Sequence, residues 1–417
     1  YHNLQSQVTS VGREFWLGFM DNQGSPNLYV FLSSDRLANG TISIPNTNFT
    51  QNFTIQPNTS ITIQIPTSQA LVINSQVQIR NMAVHIVADA DINCYAMNNS
   101  NSTTDGTLIL PVTALGNNYI ISTYSMNGAL SEFLIVATVN NTIITFIPTA
   151  NTTRNNANDI ATITLQQGDI YLVKSLVGGN LTGTRVFSNN SNFALFAGNK
   201  CTFVPFNMCC CDHLYEQMFP LNTWRNEYIA VDLFNRLNTT YRILAQNDNT
   251  NVMIDGQLVA NLNRSQFSEV RLDSNHYISA NQPISIAQFS EGSATDGADS
   301  DPFMIMLSPV DQKRNNVTFN VFNLNRPNTN YFLNVAIQTS CTSSVLLNDN
   351  PIASNFVPLP SRNSYSVAQV PLNVGVHTLT SSGMNCGFNA YIYGFGSFDS
   401  YGYSAGVRLD PITLSEI

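Results

Sequence analysis

Apolar and polar residues alternate with a period of two along most of the chain, β-branched residues are frequent, and Gly, Asn and Asp punctuate the runs. The 3.6-residue period of an amphipathic helix is nearly absent, so the pattern predicts an all-β protein. The runs also recur in order. An aromatic-rich strand is expected at Glu14–Phe19, Asn118–Ile121, Glu227–Val231 and Val317–Val321. A second follows at Leu28–Phe31, Phe133–Val136, Tyr241–Leu244 and Tyr331–Val335. A third, led by Thr, Asn or Ser, falls at Thr41–Ile44, Thr142–Thr145, Asn251–Ile254 and Ser344–Leu347. Next come Ser60–Ile63, Asp169–Leu172, Glu269–Leu272 and Tyr365–Ala368. Each series closes on a long alternating strand around Ala83–Val87, Phe193–Ala197, Pro283–Ala287 or Phe388–Ile392.

An ordered set of strands repeating at this spacing predicts about four diverged repeats of roughly 100 residues. Their expected bounds are 1–110, 111–218, 219–308 and 309–417, the last ending in a short C-terminal strand. Strands with one wet and one buried face suit antiparallel, β-sandwich-like units. A β-propeller, with two blades per repeat, is the alternative.

Composition narrows the function. Of the 417 residues 43% are hydrophobic, enough for a real core, but only 10% are charged, against roughly 25% in ordinary soluble domains. Asn, Ser and Thr must keep such a surface wet, and attached sugar would help. The net charge of −9, without any basic stripe, excludes nucleic acid as a partner, because that affinity rests on Lys and Arg. Membrane insertion is not expected, since no run of about 18 apolar residues occurs. The start at Tyr1-His2-Asn3 fits a leader already removed. The end at Leu414–Ile417 shows neither tail nor anchor, as expected of the ordered part of something longer.

Asn-x-Ser/Thr sequons begin at Asn39, Asn48, Asn52, Asn58, Asn98, Asn101, Asn140, Asn151, Asn180, Asn189, Asn238, Asn263 and Asn316. A chain this rich in Asn, Ser and Thr yields about nine or ten by chance. Placement therefore says more than number: Asn58, Asn151, Asn180, Asn189 and Asn263 fall in turn-like polar stretches. The cysteines, Cys94, Cys201, Cys209, Cys210, Cys211, Cys341 and Cys386, are odd in number. In an oxidising compartment this implies bridges plus one thiol left free or paired between chains. Cys341 and Cys386 flank one repeat and are expected to pair; the connectivity of the other five stays open.

The run Cys211-Asp212-His213-Leu214-Tyr215-Glu216-Gln217, followed by Pro220 and Trp224, resembles the signature of the IgGFc-binding-protein N-terminal domain family. Gly12–Trp16 looks like that family's opening strand, Asp301-Pro302-Phe303 with Pro309–Gln312 like its third junction, and Tyr401–Gly406 like its closing turn. The resemblance spans nearly the whole chain. Phe219 stands where Pro is usual and Arg225 where Gly is usual. The resemblance implies an extracellular, cell-surface or mucus-associated adhesive protein, and assigns no residue here to antibody contact.

Other constellations are weaker. Gly402-Tyr403-Ser404-Ala405-Gly406 matches the nucleophile-elbow spacing, but no His follows Ser404, and the motif needs one after it. Cys209–His213 with Cys201 could suggest zinc, yet adjacent cysteines diverge and secreted thiols oxidise, so disulfides are the expectation. Within Glu291–Asp301, the acids Glu291, Asp296, Asp299 and Asp301 offer oxygens to a hard cation, making calcium the one cofactor to consider against a plain solvated loop. The Tyr- and Phe-rich stretch Phe388–Tyr403 could stack on sugar, though packed sheet is its ordinary role. His85 and His276 are expected to be structural.

No acid–base constellation is visible, so no enzyme is expected. The sequence points to a secreted, N-glycosylated adhesive or recognition protein of the cell surface or matrix, with protein or glycan partners. The alternative is a structural glycoprotein that self-assembles into an extracellular filament or coat, its end strand around Arg408–Leu414 pairing with a neighbouring copy.

Overall fold

The computed structural model describes residues 7–125, 130–205, 210–383 and 385–412. Strands carry nearly all the regular structure, as the alternation predicts, and no helix among the described residues is long and apolar enough to cross a membrane. In chain order a first set holds β1 (Gly12–Leu17), β2 (Asn27–Ser34), β3 (Ala38–Ser43), β4 (Thr50–Ile55), β5 (Thr59–Ile65), β6 (Gln78–Ile79), β7 (Val84–Ser100) and β8 (Thr103–Ile109). A second holds β9 (Asn118–Ile120), β10 (Ser131–Ala137), β11 (Thr142–Ile147), β12 (Ala161–Leu165), β13 (Ile170–Lys174), β14 (Arg185–Ser188), β15 (Phe193–Thr202) and β16 (Asp212–Gln217). A third holds β17 (Arg225–Ala230), β18 (Thr239–Ala245), β19 (Thr250–Ile254), β20 (Gln257–Leu262), β21 (Phe267–Leu272), β22 (His276–Phe289) and β23 (Met304–Met306). The last holds β24 (Asn316–Val321), β25 (Asn330–Gln338), β26 (Val345–Leu347), β27 (Asn350–Pro351), β28 (Phe356–Pro358), β29 (Tyr365–Leu372), β30 (Gly375–Ser381), β31 (Phe388–Gly396) and β32 (Asp399–Ser404).

Pairing is antiparallel and follows one order. In the second set the layers run β9-β14-β11-β12 and β16-β15-β10-β13. The last set runs β24-β30-β26-β27 and β32-β31-β25-β29. In the first, the long β7 serves both layers: its first half lies between β1 and β3, its second between β8 and β2. In the third, β22 does the same between β17 and β19, then between β23 and β18. Rings join the two layers of the second set, where Phe133 of β10 meets Phe146 of β11 edge-on at 5.7 Å. Stacked blades of sequential strands, as in a propeller, are not what these pairings describe.

The layers differ in what they bury. Strands β4, β11 and β12 alternate between buried and exposed positions, as a face in water requires. Strands β8, β10, β16, β18, β31 and β32 are buried on both faces. Their second face packs on neighbouring sets, and β8, β16, β23 and β32 lie against one another there.

The ends of the described chain close on each other. Ser10 N–H donates to Val407 O at 2.9 Å, Leu409 N–H to Val8 O at 2.8 Å, and Val8 N–H to an Asp410 carboxylate oxygen at 2.8 Å. The segment expected to reach a neighbouring copy is thus engaged within its own chain as far as Ile412, whose N–H donates to Asn222 O at 2.8 Å; residues 413–417 lie outside the described residues.

Candidate functional site

Strand β16 carries the Asp-His-Leu-x-Glu-Gln run, and every residue of it is buried. Asp212 accepts from the N–H groups of Thr104 (2.6 Å), His213 (2.7 Å) and Ser400 (3.3 Å), which ties β16 to β8 and β32. Glu216 accepts from the Thr107 hydroxyl at 2.8 Å and from Met306 N–H at 3.3 Å, tying β16 to β8 and β23. Gln217 accepts from Leu110 N–H at 2.7 Å through its side-chain oxygen. Burial pushes the Asp212 and Glu216 carboxyls well above their ordinary range, and for Asp212 the neighbouring Asp399, Asp301 and Asp105 push further in the same direction.

His213 is neutral, burial having lowered its pKa to about 4. Its Nδ1 lies 2.9 Å from Asn199 O and its Nε2 3.2 Å from the Asn98 amide nitrogen. A carbonyl can only accept and an amide nitrogen only donate, so the proton sits on Nδ1. Asn98 also donates to Met20 O at 2.9 Å. Leu214 is fully buried, Cys211 is bonded to Cys201, and the Trp224 indole donates to Phe219 O at 3.2 Å just past Pro220. Arg225, the departure from the family pattern, pairs with Asp311 at 3.0 Å and donates to Asp410 O at 2.7 Å.

The centre of this junction is a residue that no motif marks. Asp105 of β8 accepts four backbone N–H bonds: Gly106 at 2.9 Å, Tyr215 at 3.1 Å, Met304 at 3.1 Å and Gly402 at 3.2 Å. One carboxylate therefore holds β8, β16, β23 and β32 together. Burial raises its pKa and the four amides oppose that rise. Around it, Thr104 donates to Asp399 at 3.1 Å, and Arg326 reaches both Asp399 (2.9 Å) and Ser100 O (2.9 Å). Asp301 N–H donates to the Ser400 hydroxyl at 2.7 Å. Oδ1 of Asp301 and Oδ1 of Asp399 have no hydrogen-bond partner among the described residues. Burial, then repulsion from Asp399, raises Asp301 to about 7; burial raises Asp399 to about 6. A second buried polar cluster, also unmarked in the sequence, joins Lys174 to Asp21 at 2.5 Å beside Glu132.

The acids offered for calcium do not converge. Glu291 takes both guanidinium contacts of Arg271 (2.8 and 2.7 Å) and the Thr240 hydroxyl (2.8 Å). Asp296 is held by Arg236 at 2.7 and 3.1 Å, and Asp299 accepts from Asn328 and Ser397. Asp301 faces the junction instead. Among the described residues no group of three or more His, Cys, Asp or Glu is arranged to hold a metal ion. The acidic loop is a set of separate ion pairs and hydrogen bonds.

Other candidates fall as follows. Ser404 is buried, its Oγ has no hydrogen-bond partner among the described residues, and so no described histidine stands ready to activate it. Tyr391, Tyr393, Tyr401 and Tyr403 are buried in β31 and β32 rather than displayed to sugar. His85 stacks on Trp16 at 3.7 Å and lies 3.0 Å from Glu14; His276 lies 2.6 Å from Asp255. Cys341 is bonded to Cys386, Cys210 is also disulfide-bonded, and Cys94 is a free thiol in the core, out of reach of another chain. Cys209 lies outside the described residues.

Asn39, Asn48, Asn52, Asn58, Asn101, Asn140, Asn151, Asn189 and Asn263 are exposed, and Asn180, Asn238 and Asn316 half-buried. Asn98 is 0% exposed. With its amide committed to Met20 and His213, a glycan there is incompatible with this fold, which corrects the expectation for that sequon.

These features define an all-β, disulfide-linked scaffold whose Asp-His-Leu-x-Glu-Gln motif is spent inside the core. The chain belongs to the IgGFc-binding protein family: the family model described as IgGFc binding protein matches residues 105–394. It is 24% identical over 321 residues to the human protein named IgGFc-binding protein, an alignment covering 73% of this chain and 6% of that relative's length. A trypsin-activated alpha-2-macroglobulin from Escherichia coli aligns over 95% of this chain and 41% of its own at 8% identity, with a TM-score of 0.13, too low to bear on the fold.

Proposed function

We propose that this chain is a module of a secreted, N-glycosylated, non-catalytic binding or adhesion protein that recognises other proteins. The observation carrying this is where the family motif sits. Asp212, His213 and Glu216, the groups with acid–base chemistry, are buried and bonded to neighbouring strands, whereas a general acid or base must reach its substrate. Two bridges, Cys201–Cys211 and Cys341–Cys386, suit an oxidising compartment. Nine exposed sequon asparagines would hydrate a surface poor in charge. We also read the four strand sets as diverged copies of one unit, bounded near 1–110, 111–218, 219–308 and 309–417.

The human relative's name supplies the first probe. The purified chain is expected to bind either immobilised IgG Fc or a member of a panel of secreted glycoproteins, saturably and as a monomer, by biolayer interferometry. Silence across the panel, together with turnover of any ester, peptide or glycoside substrate, would overturn the reading.

A further inference from the structure

At the seam between the third and last strand sets lies a cavity of ≈ 420 Å³, walled by Phe234, Phe332 and Phe395 with Pro371, Asp299 and Asn328. Phe234 stacks on Phe332 with centroids 4.6 Å apart, and Phe395 lies 6.3 Å from Phe332. Phe234 is half-buried, while Asp299, Asn328 and Pro371 are exposed, so the rings form a floor and the polar groups a rim.

The charge of this cavity is unbalanced. Asp299 accepts from Asn328 Nδ2 at 2.7 Å and from the Ser397 hydroxyl at 3.2 Å, both neutral groups. The cation in the wall, Arg236, is committed to Asp296 at 2.7 Å, and its guanidinium lies 5.5 Å from the Phe395 centroid. The ring cluster thus already holds one guanidinium from inside and presents outside a carboxylate that has no ion pair among the described residues. Phe398 follows Ser397 in the turn between β31 and β32. It is 62% exposed and holds φ at 58°, a left-handed conformation that a bulky residue adopts only at a cost.

We propose that this cavity takes a cationic side chain, arginine or lysine, presented by a protein partner. Aromatic faces carry a negative quadrupole that attracts cations, Asp299 supplies the opposite full charge, and the net charge of −9 draws basic partners toward the surface. A neutral sugar could stack on the same rings but would leave Asp299 uncompensated. The proposal rests on the protein-binding reading above and adds to it the place and chemistry of contact.

The test uses the whole chain and saturation-transfer NMR, with N-acetyl-arginine N-methylamide against its uncharged isostere N-acetyl-citrulline N-methylamide, and methyl α-mannoside as the sugar probe. The arginine probe is expected to bind about tenfold tighter than the citrulline probe, the difference a desolvated cation–aromatic contact supplies. Asp299→Asn should lower that ratio without abolishing it, and Phe234→Ala should weaken the arginine probe; cooperative thermal unfolding of both variants shows that they fold. Equal binding of the arginine and citrulline probes, no binding of either, or preference for the mannoside overturns the proposal. Should a protein partner bind Asp299→Asn undiminished, the cavity proposal fails while the binding function stands. Should the arginine probe bind where no protein partner can be found, the functional reading is the one that fails.

Discussion

Asp105→Asn is expected to destabilise the chain by about 4 kcal/mol, because a buried donor left without an acceptor costs about 1–3 kcal/mol and at least two would be left so. The two carboxylate oxygens of Asp105 each accept two N–H bonds, Gly106 and Gly402 on one, Tyr215 and Met304 on the other. An amide keeps one oxygen and turns the other into an NH2 group, so one pair of donors would face a third donor whichever way the side chain is placed. A protonated carboxyl would suffer the same conflict, so the hydrogen bonds demand the ionised form although burial works against it. Chemical denaturation and secreted yield measure the effect, with the exposed Asp35→Asn as a control expected to stay within about 0.5 kcal/mol of wild type. An Asp105→Asn chain within 1 kcal/mol of wild type would mean, roughly, that the four amides do not depend on this carboxylate.

The second large effect is on pH dependence. Asp301 and Asp399 titrate in the folded chain near about 7 and about 6, both above their ordinary value of 3.8. A carboxyl whose folded pKa is raised binds its proton more tightly when folded, so its contribution is fully present below the unfolded pKa. That contribution drains away as pH rises from about 4 through the folded values near 6 and 7. Each pKa unit is worth about 1.4 kcal/mol, so Asp301 alone accounts for a few kcal/mol. Asp301→Asn, which is uncharged at every pH, should make the fall in unfolding temperature between pH 5 and pH 8 shallower than in wild type, other raised carboxyls, among them Asp105, Asp212, Glu216 and Asp399, keeping the rest. Carboxyls with lowered values, such as Asp296 beside Arg236, act in the opposite sense at lower pH, so the comparison between variant and wild type carries the test. Parallel curves for the two would show that Asp301 does not titrate in this range.

The all-β class was legible because β4, β11 and β12 face water on one side and write the period of two directly into the chain. The junction was not legible for the same physical reason turned round. Strands β8 and β16 carry runs of polar residues, Thr103–Thr107 and Asp212-His213 with Glu216-Gln217, which meet each other instead of solvent, and a polar run in the sequence cannot tell water from a buried hydrogen-bond partner. Thr103-Thr104-Asp105-Gly106 therefore looks like an exposed turn, although Asp105 is 0% exposed. The loop Glu291–Asp301 shows the converse limit. Its acids are close in sequence, but Glu291 finds Arg271 of β21 and Asp296 finds Arg236 of the loop between β17 and β18, and spacing cannot forecast partners so distant along the chain. Asn98 carries a sequon and is buried because Met20, Asn22 and His213, from outside its own strand, take up its side-chain amide.

If the family motif and Asp105 clamp four strands into one rigid centre, the backbone amides of Gly106, Tyr215, Met304 and Gly402 should be among the slowest in the molecule. Native-state hydrogen exchange, resolved by residue, reads this directly. All four are expected to exchange only through global unfolding, with protection free energies equal to the stability from denaturation. Exchange of any of them by local opening, with surface-loop protection, would show that β8, β16, β23 and β32 are not locked together and that the motif's role lies elsewhere.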